Sequence, residues 1–115
     1  MYVEMTPGSG GGGGHQMYYE INTTHSQSGN SLTVTCGFKP RHIEMVAWVG
    51  AMRGFTYDAE TSETKYWQSI NGSDATQQDL TNTTAYGFGQ ITSTGFVLKS
   101  VNSVAYTHCM ILATD

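Results

Sequence analysis

The run SLTVTC, residues 31–36, alternates strictly, with Leu32, Val34 and Cys36 on one side and Thr33 and Thr35 on the other. A period of two is that of a strand with one dry and one wet face. Comparable short segments recur: MYYEI (17–21), HIEMVAWVG (42–50), FTYD (55–58), ETKYWQSI (63–70), TAYGFGQI (84–91), GFVLKS (95–100) and VAYTHCMILA (104–113). Turn-type stretches separate them, among them NTTHSQSGN (22–30), GFKP (37–40), the long polar loop 71–84, TSTG and VNS. Pro40 cannot extend an ordinary ladder, so GFKP reads as a turn. No segment carries a helical period. Seven or eight short strands at near-regular spacing predict an all-β, antiparallel β-sandwich or jelly-roll-like single domain. A chain of 115 residues suits one core.

Individual strands carry finer expectations. HIEMVAWVG is apolar on both faces toward its end, which predicts a central, buried strand. In KYWQ, alternation puts Tyr66 and Trp67 on opposite faces, so one of them points outward. VAYTHCMILA sets Tyr106, His108, Met110 and Leu112 against Cys109, Ile111 and Ala113. The segment TPGSGGGGG (6–14) includes Gly10, Gly11, Gly12, Gly13 and Gly14, whose backbone freedom prevents a fold of their own. Residues 1–15 are therefore expected to form a flexible arm or attachment segment, and residues 16–115 the sandwich.

Composition narrows the partners. Charged residues make up 12% of the chain, against about 25% in ordinary soluble domains, and the net charge is −4. That balance offers no electrostatic footprint for nucleic acid. No run approaches the ~20 apolar residues of a membrane-spanning helix, and MYVEM lacks the blocks of a signal peptide. The sequons at Asn22, Asn71 and Asn82 then read as by-products of a Thr- and Asn-rich chain. Cys36 and Cys109 are expected as buried small hydrophobes in a reducing cytoplasm rather than as a disulfide.

Chemical motifs are sparse. His15, His25, His42 and His108 form no HExxH or HxH pattern, and no GxSxG elbow is present. The glycine run lacks the Lys-Ser/Thr pair and helix of a phosphate-binding loop. Asp58, Glu60 and Glu63 cluster in DAETSE, where a solvated acidic turn that contacts Lys65 is far commoner than paired acid–base catalysis. The expectation is no catalytic residue, no metal and no cofactor. Binding is better supported by the aromatic-rich middle section, with Tyr57, Tyr66, Trp67, Asn71 and Asp74 as candidate ligand or interface contacts.

The succession CGFKPRHIEMVAW, YDAETSETKYW and YGFGQITSTGFVLKS, then a closing apolar strand, resembles small domains of tailed-bacteriophage structural proteins. It covers roughly Leu32 to Ala113. Its matching residues (Gly37, Phe38, Lys39, Pro40, Tyr57, Asp58, Lys65, Gly95 and Phe96) look like turn and packing positions. The resemblance implies a non-enzymatic protein at the virion surface, often a homotrimer, that contacts other capsid or tail proteins. A standalone domain with a short Gly-rich arm is similar to capsid decoration or a head fibre. The alternative is a tail-fibre or tail-tip module that recognises host surface glycans through Tyr66 or Trp67 and the loop 71–84.

Overall fold

The computed structural model describes residues 2–5, 15–26 and 32–115. Gly10–Gly14, the heart of the expected arm, lie outside the described residues. The described chain forms ten strands: β1 (Tyr2–Met5), β2 (His15–His25), β3 (Thr33–Thr35), β4 (His42–Trp48), β5 (Met52–Asp58), β6 (Lys65–Ile70), β7 (Thr76–Asp79), β8 (Phe88–Thr92), β9 (Gly95–Leu98) and β10 (Tyr106–Thr114). They build two antiparallel sheets, one ordered β1-β2-β10-β4-β5-β6-β7 and the other β3-β9-β8. The architecture is the expected antiparallel β-sandwich.

Two strands go beyond the sequence expectation. Tyr2–Met5, assigned to the arm, pairs with His15–Tyr18 as an edge strand, so the sheet extends across the boundary drawn at residue 15. TQQD, at 76–79 inside the expected polar loop, pairs with Lys65–Gln68 as the opposite edge. An edge strand needs only one partner and no apolar face, which is why a polar run can occupy it.

The core lies between the sheets. Val34, Ile43, Met45, Ala47, Phe55, Tyr57, Tyr66, Phe96, Leu98 and Ile111 alternate inward and are buried. Phe88 is the hub of an aromatic cluster, edge-on to Phe96 at 5.4 Å and to Tyr66 at 5.6 Å, with Phe55 at 6.1 Å. Such tilted pairs add to area burial because ring edges meet ring faces. Cys36 and Cys109 are both buried free thiols. Burial pushes their ionisation up, to about 12 and about 11, with the Glu20 carboxylate adding to the effect.

The segments GFKP and ITSTGF meet in space. Gly37, at φ 90°, turns the chain after β3, and the N–H groups of Cys36 and Gly37 both donate to the Thr94 carbonyl, at 2.8 and 3.0 Å. Gly95 is required next door: a Cβ there would lie 2.0 Å from the Val34 carbonyl oxygen. A real Cβ contact never approaches so closely, so β3 and β9 pair at this register only with glycine.

β10 departs from its sequence alternation. Tyr106 is buried on the same side as Cys109, Ile111 and Ala113, not with Met110 and Leu112. The cause is a bulge: His108 sits at φ 52°, and the register slips against both β2 and β4 between Tyr106 and Met110. Asn22 on β2 is likewise at φ 56°, and its Oδ1 lies 3.1 Å from His108 Nδ1. The extra residues of a bulge reverse the facing of everything beyond it.

Candidate functional site

The outer face of the large sheet is unusually apolar. Ile21, Met110, Val46, Gly54 and Ser69 are successive partners in one row across β2, β10, β4, β5 and β6. Tyr19, Leu112, Glu44, Thr56, Trp67 and Gln77 form the next. Beyond the first row, Trp48 pairs with Met52. Ile21 and Met110 are 68% and 56% exposed, and Val46, Trp48, Met52 and Trp67 are all exposed as well. Glu44 is the one carboxylate in these rows, and its Oε2 lies 3.3 Å from His42 Nε2.

This explains the sequence of β4. HIEMVAW is apolar on both faces and central, between β10 and β5, yet only its Ile43–Met45–Ala47 face is covered. The covering layer expected over Val46 and Trp48 is not supplied by the described residues. Gly54 lets Ser69 lie close against the middle of the face, since a Cβ there would sit 2.9 Å from Ser69 Oγ. Two depressions flank the Glu44–Val46 ridge. One, of about 380 Å³, is lined by Ile21, Met110 and Leu112, and the other, of about 140 Å³, by Gly54, Ser69 and Trp67. Five strands at about 4.8 Å per step make the face roughly 20 Å wide. Single exposed hydrophobes are ordinary, whereas a large contiguous apolar patch marks an interaction surface.

The sequence-predicted contacts separate accordingly. Tyr57 and Tyr66 are corrections: both side chains are core residues, 2% and 0% exposed. Tyr66 donates its O–H to the Tyr86 carbonyl, and no ring face remains for an external ligand. Of the two residues that alternation in KYWQ sets on opposite faces, Trp67 is the one that points outward, and it belongs to the apolar face. Asn71 and Asp74 are exposed in the turn between β6 and β7, where Asn71 adopts φ 51° and its Oδ1 accepts from the Met52 N–H at 3.2 Å. They stand beyond the end of β6 and do not join the apolar rows. The missed residues are Ile21, Val46, Met52 and Met110. For Val46 and Met110 the signal was present in the doubly apolar ends of β4 and β10.

DAETSE is a hydrogen-bonded turn. Thr61 and Ser62 N–H groups donate to the Asp58 carbonyl, at 3.0 and 2.9 Å, and the Asp58 side chain accepts from the Glu60 N–H at 3.0 Å. Glu60 pairs with Arg41 at 3.2 Å, both exposed. Lys65, expected to contact this turn, instead pairs with Asp79 across the β6–β7 ladder.

A polar constellation that the sequence did not announce lies on the inner side of β2. Glu20 is buried, and its carboxylate accepts from the hydroxyls of Tyr18 and Thr23. His25 Nε2 lies 2.7 Å from Glu20 Oε1, so that nitrogen carries a proton. The Asn22 bulge brings Thr23 and His25 round to the side of Glu20. Burial raises the Glu20 ionisation, but the hydrogen bonds from His25, Thr23 and Tyr18 outweigh it and hold the carboxyl near 2. Burial, aided by Glu20, pushes the Tyr18 hydroxyl well above its usual range. Every oxygen-bound proton here is committed to a stabilising contact.

Comparison with protein-family models, curated proteins and solved structures returns no match.

Proposed function

We propose that the chain is a non-enzymatic bacteriophage virion structural protein displayed on the particle surface, as capsid decoration or a head fibre. The observation that carries the reading is the exposed apolar face of the large sheet. A face with Ile21, Val46, Trp48, Trp67 and Met110 open to water is suited to burial in an assembly. The homotrimer that goes with the phage resemblance, and neighbouring capsid or tail proteins, are the partners assigned to it. Three-fold assembly multiplies a weak lattice contact through effective concentration.

The test is to label intact particles with an antibody against the protein and image the label. Regular label on the head is the expected result, and no label on any particle overturns the reading. A double substitution, Val46→Asp with Met110→Asp, should leave the isolated domain folded, because both side chains point outward. It should abolish incorporation into the particle, and wild-type incorporation would remove the apolar face from the assembly.

Receptor binding at a tail tip is the second reading, favoured by one observation: Trp67 is an exposed ring at the rim of the hollow lined by Gly54 and Ser69. A sugar ring stacks on such a face. Trp67→Ala distinguishes the two, since lost host-cell binding with intact incorporation supports the receptor role.

A further inference from the structure

Lys99 follows β9 and is buried, 8% exposed. Its Nζ donates to Tyr66 Oη at 2.8 Å and to the Asp79 carbonyl at 2.9 Å, and sits 4.6 Å from the Tyr66 ring centroid. All of these partners are neutral. Among the described residues no carboxylate forms an ion pair with it, because the Asp79 side chain is engaged by Lys65. A buried ammonium without a counter-charge is expensive, and folded proteins ordinarily supply one.

The surroundings make room for that counter-charge. The β8–β9 register slips at Gly89, between Phe88 and Gln90. A Cβ on Gly89 would meet the Lys99 stem at 3.2 Å, so glycine leaves the lysine space to lie against β8. Lys99 lines a recess of about 480 Å³. Leu80 and Val97 contribute apolar surface to it, and Thr33, Thr81, Thr83 and Gln90 contribute hydroxyl and amide groups. A second recess of about 610 Å³ adjoins it along the β8 edge, sharing Leu80, Thr81, Gly89 and Gln90 but adding Lys39, Glu63 and Asp79, whose mixed charges leave the first recess as the better anion site. The first recess, with one cation, several neutral hydrogen-bonding groups and short apolar patches, matches a saccharide that carries a carboxylate.

We propose that the groove between the β8 edge and the 79–83 segment binds an acidic saccharide, with Lys99 as the carboxylate's counter-charge and Thr81, Thr83 and Gln90 contacting its hydroxyls. The site lies apart from the apolar face and does not depend on the virion reading. Burial also depresses the Lys99 ammonium, only partly offset by Asp79, consistent with an ion that lacks its partner.

The experiment is an NMR titration of the whole chain with glucuronate, glucose and inorganic phosphate as probes. Glucuronate should shift the resonances of Lys99, Gln90 and Thr83 in a saturable way, and glucose should not. No saturable shift with glucuronate, or equal shifts with glucose, overturns the proposal. Phosphate binding as tight as glucuronate overturns the saccharide assignment and leaves a general anion site. Lys99→Met should abolish binding. Should that variant fail to fold, Gln90→Ala, at an exposed position, should weaken it several-fold with the spectrum otherwise unchanged. Undiminished binding by a folded Lys99→Met or by Gln90→Ala would refute the assigned contacts.

Discussion

Glu20 and Lys99 are two ions buried in one sandwich, and the fold treats them in opposite ways. Glu20, on β2, is met by three donors, and its carboxyl is driven down to about 2, deep into the charged state. Lys99, after β9, meets two neutral oxygens and a ring face, and burial brings its ammonium down to about 8, toward the neutral state. Complete internal solvation turns a buried charge into a structural asset, whereas incomplete solvation leaves affinity available for something from outside. The first site is closed chemistry. The second is open.

The largest test of that contrast is Glu20→Gln. Its folded carboxyl lies below the unfolded value of 4.5, so its contribution is fully present above pH ~4.5 and lost as pH falls toward about 2. At about 1.4 kcal/mol per unit the contribution is roughly 3 kcal/mol. Denaturant unfolding at pH 7 should show Glu20→Gln destabilised by about that amount, with a flatter acid profile than wild type. An unchanged acid limb would mean that Glu20 is not the internally solvated ion described.

Lys99→Met should show the smaller and pH-inverted effect. A lysine with a depressed folded value binds fewer protons folded than unfolded, so wild-type stability should rise as pH increases from about 8 toward 10.5. The rise is read most cleanly below pH 10, before the buried Tyr66 and Tyr106 hydroxyls, both raised by burial, oppose it. At pH 7 the substitution removes an unpaired charge and one of two donors to the Asp79 carbonyl, which keeps its bond from the Asn82 N–H, so the net change should stay within about 1 kcal/mol. A loss as large as that for Glu20→Gln would erase the contrast. Comparable in size to Lys99→Met, Thr23→Val should cost about 1 kcal/mol by removing one of the three donors to Glu20. It should also move the acid limb slightly upward in pH.

How much was legible follows from where each signal resides. Strand identity resides in local pattern: SLTVTC declares it because one face is dry and the other wet, and HIEMVAW because it is apolar on both faces. That Tyr66 and Trp67 face opposite ways followed from the period of a strand, and the structure decided which of them faces out. TQQD and NTTH carry no alternation of apolar and polar residues, and they pair because neighbouring strands offer hydrogen bonds, a fact about partners rather than about themselves. The aromatic candidates divided for a similar reason: Tyr57 and Trp67 are both plausible contacts by residue type, but only position in the sandwich separates core from surface.

By itself the chain determined a β-rich, sparsely charged domain with a turn at Gly37, because period, composition and the steric demand of a left-handed turn are local properties, whereas the glycine at 95 is fixed by the close approach of β3. Only the tertiary structure decided which apolar face stays open and how the two buried charges are solvated. The Asn22 and His108 bulges, set by pairing on both sides of β10, reverse side-chain facing over a single residue. They gather Thr23 and His25 around Glu20. The slip at Gly89 similarly gives Lys99 its place beside β8, through a contact between strands that no single segment encodes.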